Sequence, residues 1–244
     1  MRKIIVCGDL HWRGLNPKAR IDNYLEAITA KLKEVFMLTK HIGASVIILS
    51  GDLFDSPNMA WGTVAELALL LQIAPLNCRI LTIPGNHDIY GGNPASKNRT
   101  PYGLLSRLGL VWDLTDEPFE LSNNENNSDL NIAITGHSFT ADTDTDAGKD
   151  QFNPPPHAGD WQGTSIHVVH SMLMDRAPGH DMRHTLISQV ETTANVIISG
   201  HEHTGFGIIR RDDGVLFINP GALCRLTAHV SEIERQVQVA GLTV

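Results

Sequence analysis

Cysteine is sparse in this chain of 244 residues: Cys7, Cys78 and Cys224 lie far apart and show no paired spacing. A disulfide framework is excluded on that count, and reduced thiols in a cytoplasmic protein are expected. Long apolar runs are missing as well. After Met1-Arg2-Lys3 the stretch Ile4-Ile5-Val6-Cys7 ends at Gly8-Asp9, too short for a signal peptide, and no later segment reaches membrane-spanning length. Neither export nor a membrane partner is expected. Basic residues are in deficit, 19 Lys plus Arg against 27 Asp plus Glu, for a formal charge of −8 with no basic strip. This argues against strong nonspecific DNA binding by the bare protein. It leaves a phosphate substrate open, because bound divalent cations would dominate the local field.

What is present is enough apolar material, 42 % of residues, to bury a full core. Residues 3–8, 45–50 and 79–84 are runs with continuous apolar centres, the pattern of buried parallel strands. Between them, residues 22–41 carry Leu25, Ile28, Leu32 and Val35 at helical spacing with Asp22 as a plausible N-cap, and residues 59–73 repeat the pattern until Pro75. The first third therefore reads β-α-β-α-β. Shorter runs follow at 131–135, 165–170, 196–199, 207–211, 215–219 and 236–244, with Asp213-Gly214 as a hairpin signal. They predict a second, mostly antiparallel sheet packed on the first. Residues 122–129, rich in Asn and Ser, and residues 140–163, with Asp142, Asp144, Asp146 and Trp161, read as irregular connections.

Five polar signatures each follow an apolar run: Asp9-x-His11, Gly51-Asp52-x-x-Asp55, Gly85-Asn86-His87-Asp88, His170, and Gly200-His201-x-His203. Asp9 and His11 can turn toward one point if the chain leaves the sheet there. Asp52 offers two oxygens, so one carboxylate can bridge two cations; Asn86 offers a neutral oxygen, and His170, His201 and His203 offer imidazole nitrogen. A set of nitrogen and oxygen donors without sulfur suits manganese, iron or zinc better than a thiolate zinc site. Manganese is the first expectation, with iron, zinc or magnesium as alternatives, and sites holding two such ions chiefly cleave phosphate esters. Singly, Asp52 reads as a turn residue or helix cap, Asn86 as a turn residue and His170 as a satisfied core histidine. Jointly those readings fail, because they must place five unrelated clusters at strand ends in one order. His167, three residues before His170, faces the other side of a strand and is not expected to be a ligand. His137 ends a strand and is a weaker candidate for the cleft, and Asp55 is either a partner of a metal ligand or a helix cap.

The ordered set resembles the calcineurin-like metallophosphoesterases over nearly the whole chain, from Asp9 to Asn219-Pro220-Gly221. Within them, Gly51-Asp52-Leu53-Phe54-Asp55-Ser56-Pro57 and Pro84-Gly85-Asn86-His87-Asp88 are most similar to the SbcD-type nucleases of DNA repair. The resemblance implies a four-layer α/β/β/α sandwich of two packed mixed sheets flanked by helices. It implies one metal on Asp9, His11, Asp52 and His203, and a second on Asp52, Asn86, His170 and His201, with Asp52 as the bridge. His87 would then stabilise the transition-state charge and protonate the leaving oxygen, and Asp88 would orient His87.

SbcD-type proteins continue into a capping domain and a segment that docks an SbcC-like ATPase partner, whereas only residues 204–244 follow His203 here. One phosphoesterase domain over 1–244 is therefore expected, with 140–163 as a loop insertion serving as a lid or substrate wall, and with no capping domain or evident ATPase-docking segment. The leading expectation is a phosphodiesterase of the nuclease kind, acting on DNA, with a homodimer compatible with it. A phosphodiesterase or phosphatase of small nucleotides comes second. A noncatalytic scaffold comes third, disfavoured because every ligand and His87 are present.

Overall fold

Strands whose residues are apolar without alternation must be covered on both faces, and β1 (Lys3–Cys7), β2 (Val46–Leu49) and β3 (Arg79–Thr82) are. The computed structural model describes residues 2–121, 132–156 and 163–244; residues 122–129, Asn131 at the head of an expected strand, and His157 and Trp161 lie outside them. Ile5, Ile47 and Ile80 pack against Ile28, Leu32, Val64 and Leu67 of helices α1 (Tyr24–Ile42) and α2 (Trp61–Gln72). The alternate side chains Ile4, Val6, Val46, Ile48 and Leu81 face the other way, into the layer shared with the second sheet. The N-cap of α1 is Asn23, whose Oδ1 accepts from Glu26 N, and not Asp22. Asp22 is drawn off by Arg20, which donates to both its oxygens at 2.7 and 2.6 Å.

Helix α3 (Pro101–Arg107) leads into β4 (Trp112–Asp113), which extends the parallel set, while the last strand closes its other edge. The second sheet is built from β5 (Phe119–Leu121), β6 (Ile132–His137), β7 (Thr164–Ser171), β10 (Val196–His201), β11 (Gly207–Arg210) and β12 (Leu216–Asn219). Between β7 and β10 in the chain, β8 (Leu173–Met174) and β9 (Thr185–Leu186) form a separate short parallel pair. After α4 (Val230–Glu234), β13 (Ala240–Thr243) ends the chain.

The second sheet corrects the antiparallel expectation. In the order β11-β12-β10-β7-β6-β5 its four inner strands run parallel and only the two edge pairings are antiparallel. The connections after β6 and β7 are long enough to return the chain to the same end of the sheet, as parallel pairing requires. Only Asp213-Gly214 makes the tight turn that joins antiparallel β11 and β12, with Gly214 at φ 92°. The final strand is also reassigned: β13 pairs antiparallel with β1, Ile4 opposite Leu242, so it belongs to the first sheet. Its alternate residues Ala240 and Leu242 are needed in the layer between the sheets.

The α/β fold class is as expected, two mixed sheets face to face with helical layers outside. Over the second sheet the outer layer consists of 3₁₀ turns, Asp146–Phe152 and Ile187–Gln189, whose Phe152 and Ile187 cover Val169, Ile197 and Phe217. The described part of 140–163 is thus a packed cover of the sheet, with Phe152 and Gln151 buried, and not a free lid. Among the described residues no helix is long and apolar enough to cross a membrane.

Candidate metal centre

Parallel strands in both sheets bring their C-terminal ends together, and each expected residue sits at or just beyond such an end. The chain has to break away from the sheet at once for these side chains to converge. His11 (φ 45°), Asp52 (φ 46°) and His201 (φ 77°) accordingly adopt the left-handed conformation, which costs a non-glycine residue on the order of 1–3 kcal/mol. Two glycines show how close the backbones come. A Cβ on Gly85 would lie 2.1 Å from Asp52 Oδ1, and one on Gly200 would lie 2.4 Å from Ser50 O and 2.5 Å from Asp9 Oδ1.

Two groups of donor atoms result. In the first, His11 Nε2 and His203 Nε2 are 3.0 Å apart, and Asp9 Oδ2 is 3.6 Å from His203 Nε2. In the second, His170 Nε2 lies 3.1 Å from Asn86 Oδ1 and 3.2 Å from Asp52 Oδ2, with His201 in the same cluster. Asp52 Oδ2 is also 3.6 Å from His11 Nε2, so it stands between the groups. The structure thus brings together all seven expected ligands.

The surroundings orient these atoms. Ser50 O accepts from His170 Nδ1 at 2.8 Å, leaving Nε2 toward the cluster, and His201 N donates to Asp9 Oδ2 at 3.0 Å. Tyr24 Oη donates to the backbone oxygens of Leu10 and His11. Ala222 N donates to His203 O and Leu223 N to Asp9 O, so the segment after Asn219-Pro220-Gly221 laces the two ligand loops together. Asn219 Nδ2 holds Glu202 O, and the Glu202 carboxylate accepts from Thr204 N and Gly205 N, closing the turn beyond His203.

The electrostatics are those of a crowded, dry site. Burial disfavours the imidazolium of His170, but Asp52 and Asp9 outweigh it and raise its pKa to about 10. Burial would raise Asp52, yet His170, His11 and His87 hold it below the usual carboxylate range. Asp9 is pushed up to about 6 by burial, and His201 and His203 are pushed down to about 3 for the same reason. The neutral imidazoles and ionised Asp52 are the forms that bind metal. Asp52 Oδ2, fully buried, meets no hydrogen bond of acceptable geometry while lying among imidazole nitrogens. A divalent cation fits that orphaned oxygen and this nitrogen and oxygen donor set.

His87 stands beside the cluster, its ring edge-on to His11 at 4.8 Å, and its backbone N–H donates to Asp52 Oδ1 at 2.8 Å. The expected role of Asp88 needs correction. Its carboxylate faces the backbone and accepts from Leu53 N, Phe54 N and Gly85 N at 3.0–3.1 Å, and it is Asp55 O that accepts from His87 Nδ1, at 2.8 Å. Burial beside three N–H donors is the reason, since Asp88 is fully enclosed, and burial with the nearby Asp52 charge pushes its pKa up to about 7. Asp55 is a partner of a ligand and not a cap: its Oδ1 lies 3.5 Å from His11 Nδ1 while Arg13 pairs with its Oδ2 at 2.8 Å. Arg13 and Phe139, whose ring packs on His170 and His201, carried no motif signal. His137 bonds to the neighbouring Ser138 O, and His167 is buried on the opposite face between Thr135 Oγ1 and Gln151 O.

The family model of the Calcineurin-like phosphoesterases matches residues 2–205, and the chain belongs to that family of metal-dependent hydrolases of phosphate esters. Solved structures of the same fold include a dimetal phosphatase from Danio rerio, with TM-score 0.54, 12 % identity, and 91 % of this chain and 87 % of that one covered. The calcineurin-like phosphoesterase YfkN from Bacillus subtilis is similar at TM-score 0.53 and 12 % identity, covering 91 % and 81 %. GAP50, the anchor in the inner membrane complex of Plasmodium, is similar at TM-score 0.54 and 15 % identity, covering 90 % and 71 %. No curated protein sequence matches the chain.

Proposed function

We propose that this phosphoesterase is a two-metal phosphodiesterase of the nuclease kind that cleaves DNA. The observation that carries the two-metal reading is the position of Asp52 Oδ2 between two groups of donors, 3.2 Å from His170 Nε2 and 3.6 Å from His11 Nε2. Asp9, His11 and His203 would hold one ion with Asp52, and Asn86, His170 and His201 the other. Two divalent cations bound there supply an activated water and neutralise charge on the phosphoryl oxygens. His87, its Nδ1–H donated to Asp55 O, keeps Nε2 for the substrate and delivers a proton to the leaving oxygen. Phe139 packs its ring against His170 and His201 and so buttresses two of the ligands.

The nuclease reading rests on the SbcD-like runs Gly51–Pro57 and Pro84–Asp88. The purified protein with manganese should cleave DNA oligonucleotides, and Asp52→Ala should abolish this while His87→Ala lowers kcat about 10²- to 10⁴-fold. Absence of cleavage on single- and double-stranded DNA, with turnover of mononucleotide esters instead, would replace the reading by that of a small-nucleotide phosphodiesterase.

A further inference from the structure

A groove of about 370 Å³ begins two residues after Asp55, lined by Pro57, Asn58, Trp61, Tyr90, Arg99 and Arg107 among others. Its composition is unusual for this chain. Trp61 is 74 % exposed at the start of α2, where no packing requirement explains a large ring. The Tyr90 hydroxyl is tied to Asn58 Oδ1 and to Pro57 O, which fixes a second ring in the wall. Arg99 and Arg107 are exposed, and among the described residues neither has an ion-pair or hydrogen-bond partner. In a chain of net charge −8, two uncommitted guanidiniums beside two aromatic rings form a local reversal of sign.

The groove is built from segments that directly follow those of the metal centre along the chain. Tyr90 follows His87 by three residues, so their Cα atoms are at most about 11 Å apart. Pro57 follows Asp55 by two, and Asp55 O accepts from His87 Nδ1 while its carboxylate stands 3.5 Å from His11 Nδ1. A chain substrate with its scissile phosphate at the metals can therefore extend toward the groove along these segments.

Resting on the phosphodiesterase reading above, we infer that this groove is a subsite for single-stranded DNA, which stacks a base on Trp61 and Tyr90 and places flanking phosphates on Arg99 and Arg107. Aromatic platforms with cationic rims bind single strands without reading sequence, because every base has a stacking face and every nucleotide a phosphate. The flanking position explains how an acidic protein without a basic strip would hold a polyanion.

The test compares two substrates in the manganese-loaded protein: an oligothymidylate of eight nucleotides and bis-p-nitrophenyl phosphate, too small to span both sites. Trp61→Ala and the double variant Arg99→Ala/Arg107→Ala should raise KM for the oligonucleotide about 5- to 100-fold while leaving kcat/KM for the aryl diester within twofold. The double variant should also flatten the dependence of log affinity on log salt by about 1.4, or 0.7 per lost phosphate contact. Unchanged oligonucleotide KM in these variants, equal losses on both substrates, or competition by thymidine monophosphate as strong as by the oligonucleotide would overturn the subsite. Wild-type turnover of the aryl diester without oligonucleotide cleavage would also overturn it and leave the phosphoesterase reading standing. Failure on both substrates would instead defeat that underlying reading.

Discussion

At the residue scale, one type does opposite jobs according to what surrounds it. His170 and His167 lie three apart on β7 and face opposite layers. His170 meets Asp52 and Asp9 and is driven toward the cation. His167 has no carboxylate partner among the described residues: its Nε2–H donates to Gln151 O, its Nδ1 accepts from Thr135 Oγ1, and burial, with a smaller contribution from His137, pushes its pKa down to about 4. The unfolded state, with a histidine near 6.5, binds the proton that the folded state refuses between pH 6.5 and 4. Stability therefore falls as pH drops through that window, by about 3 kcal/mol at full extent from this residue. His167→Gln, which keeps a donor and cannot titrate, should show a smaller loss of Tm between pH 7.5 and pH 5 than the parent. Parallel pH curves for the two proteins would refute this account. The alternation rule was enough to separate the two histidines in the sequence. Nothing there showed that Gln151, sixteen residues earlier, would supply the acceptor.

At the element scale, the loops after β2 and β3 depend on each other. Asp88 satisfies backbone N–H groups of Leu53 and Phe54 in one loop and Gly85 in the other. His87 N returns the contact by donating to Asp52 Oδ1. Asp88→Ala would leave three buried N–H groups without acceptors, at a cost of about 2–4 kcal/mol. Tm should drop by about 5–15 °C at that cost for a chain of this size. Manganese affinity should weaken with it, because Asp52 and Asn86 sit in the loops that separate. A Tm within a degree of the parent in calorimetry would show that other contacts hold these loops. The spacing of the Gly-Asn-His-Asp run marked Asp88 as part of the site but suggested His87 as its partner, because adjacency along a chain is easily mistaken for contact. In the fold the two side chains point apart, and a carbonyl 32 residues earlier takes the histidine.

At the scale of the whole molecule, the ligands come from both sheets, Asp9, His11, Asp52 and Asn86 from the first and His170, His201 and His203 from the second. A cation held by both is a crosslink between halves of the sandwich and binds only the folded chain. Saturating manganese at a hundredfold over its dissociation constant stabilises by about 2.7 kcal/mol per site. Chelation should accordingly lower Tm by about 5–10 °C, and more if both sites empty. Equal melting curves with chelator and with manganese would rule out a metal centre joining the sheets.

The sequence by itself determined the β-α-β-α-β half, because buried parallel strands and amphipathic helices each write their period locally. It also determined the donor set, since ligand chemistry is a property of residue type and position at strand ends. The tertiary structure alone decided the direction of the inner strands of the second sheet and the transfer of the last strand to the first, which depend on where long connections return. It likewise placed Asp55 beside His11, with Arg13 on Asp55, and gave Asp88 to the backbone. Most of those pairings join residues more than 30 positions apart, such as Asp88 with Leu53 and Asp55 with His11, and no local pattern records that distance.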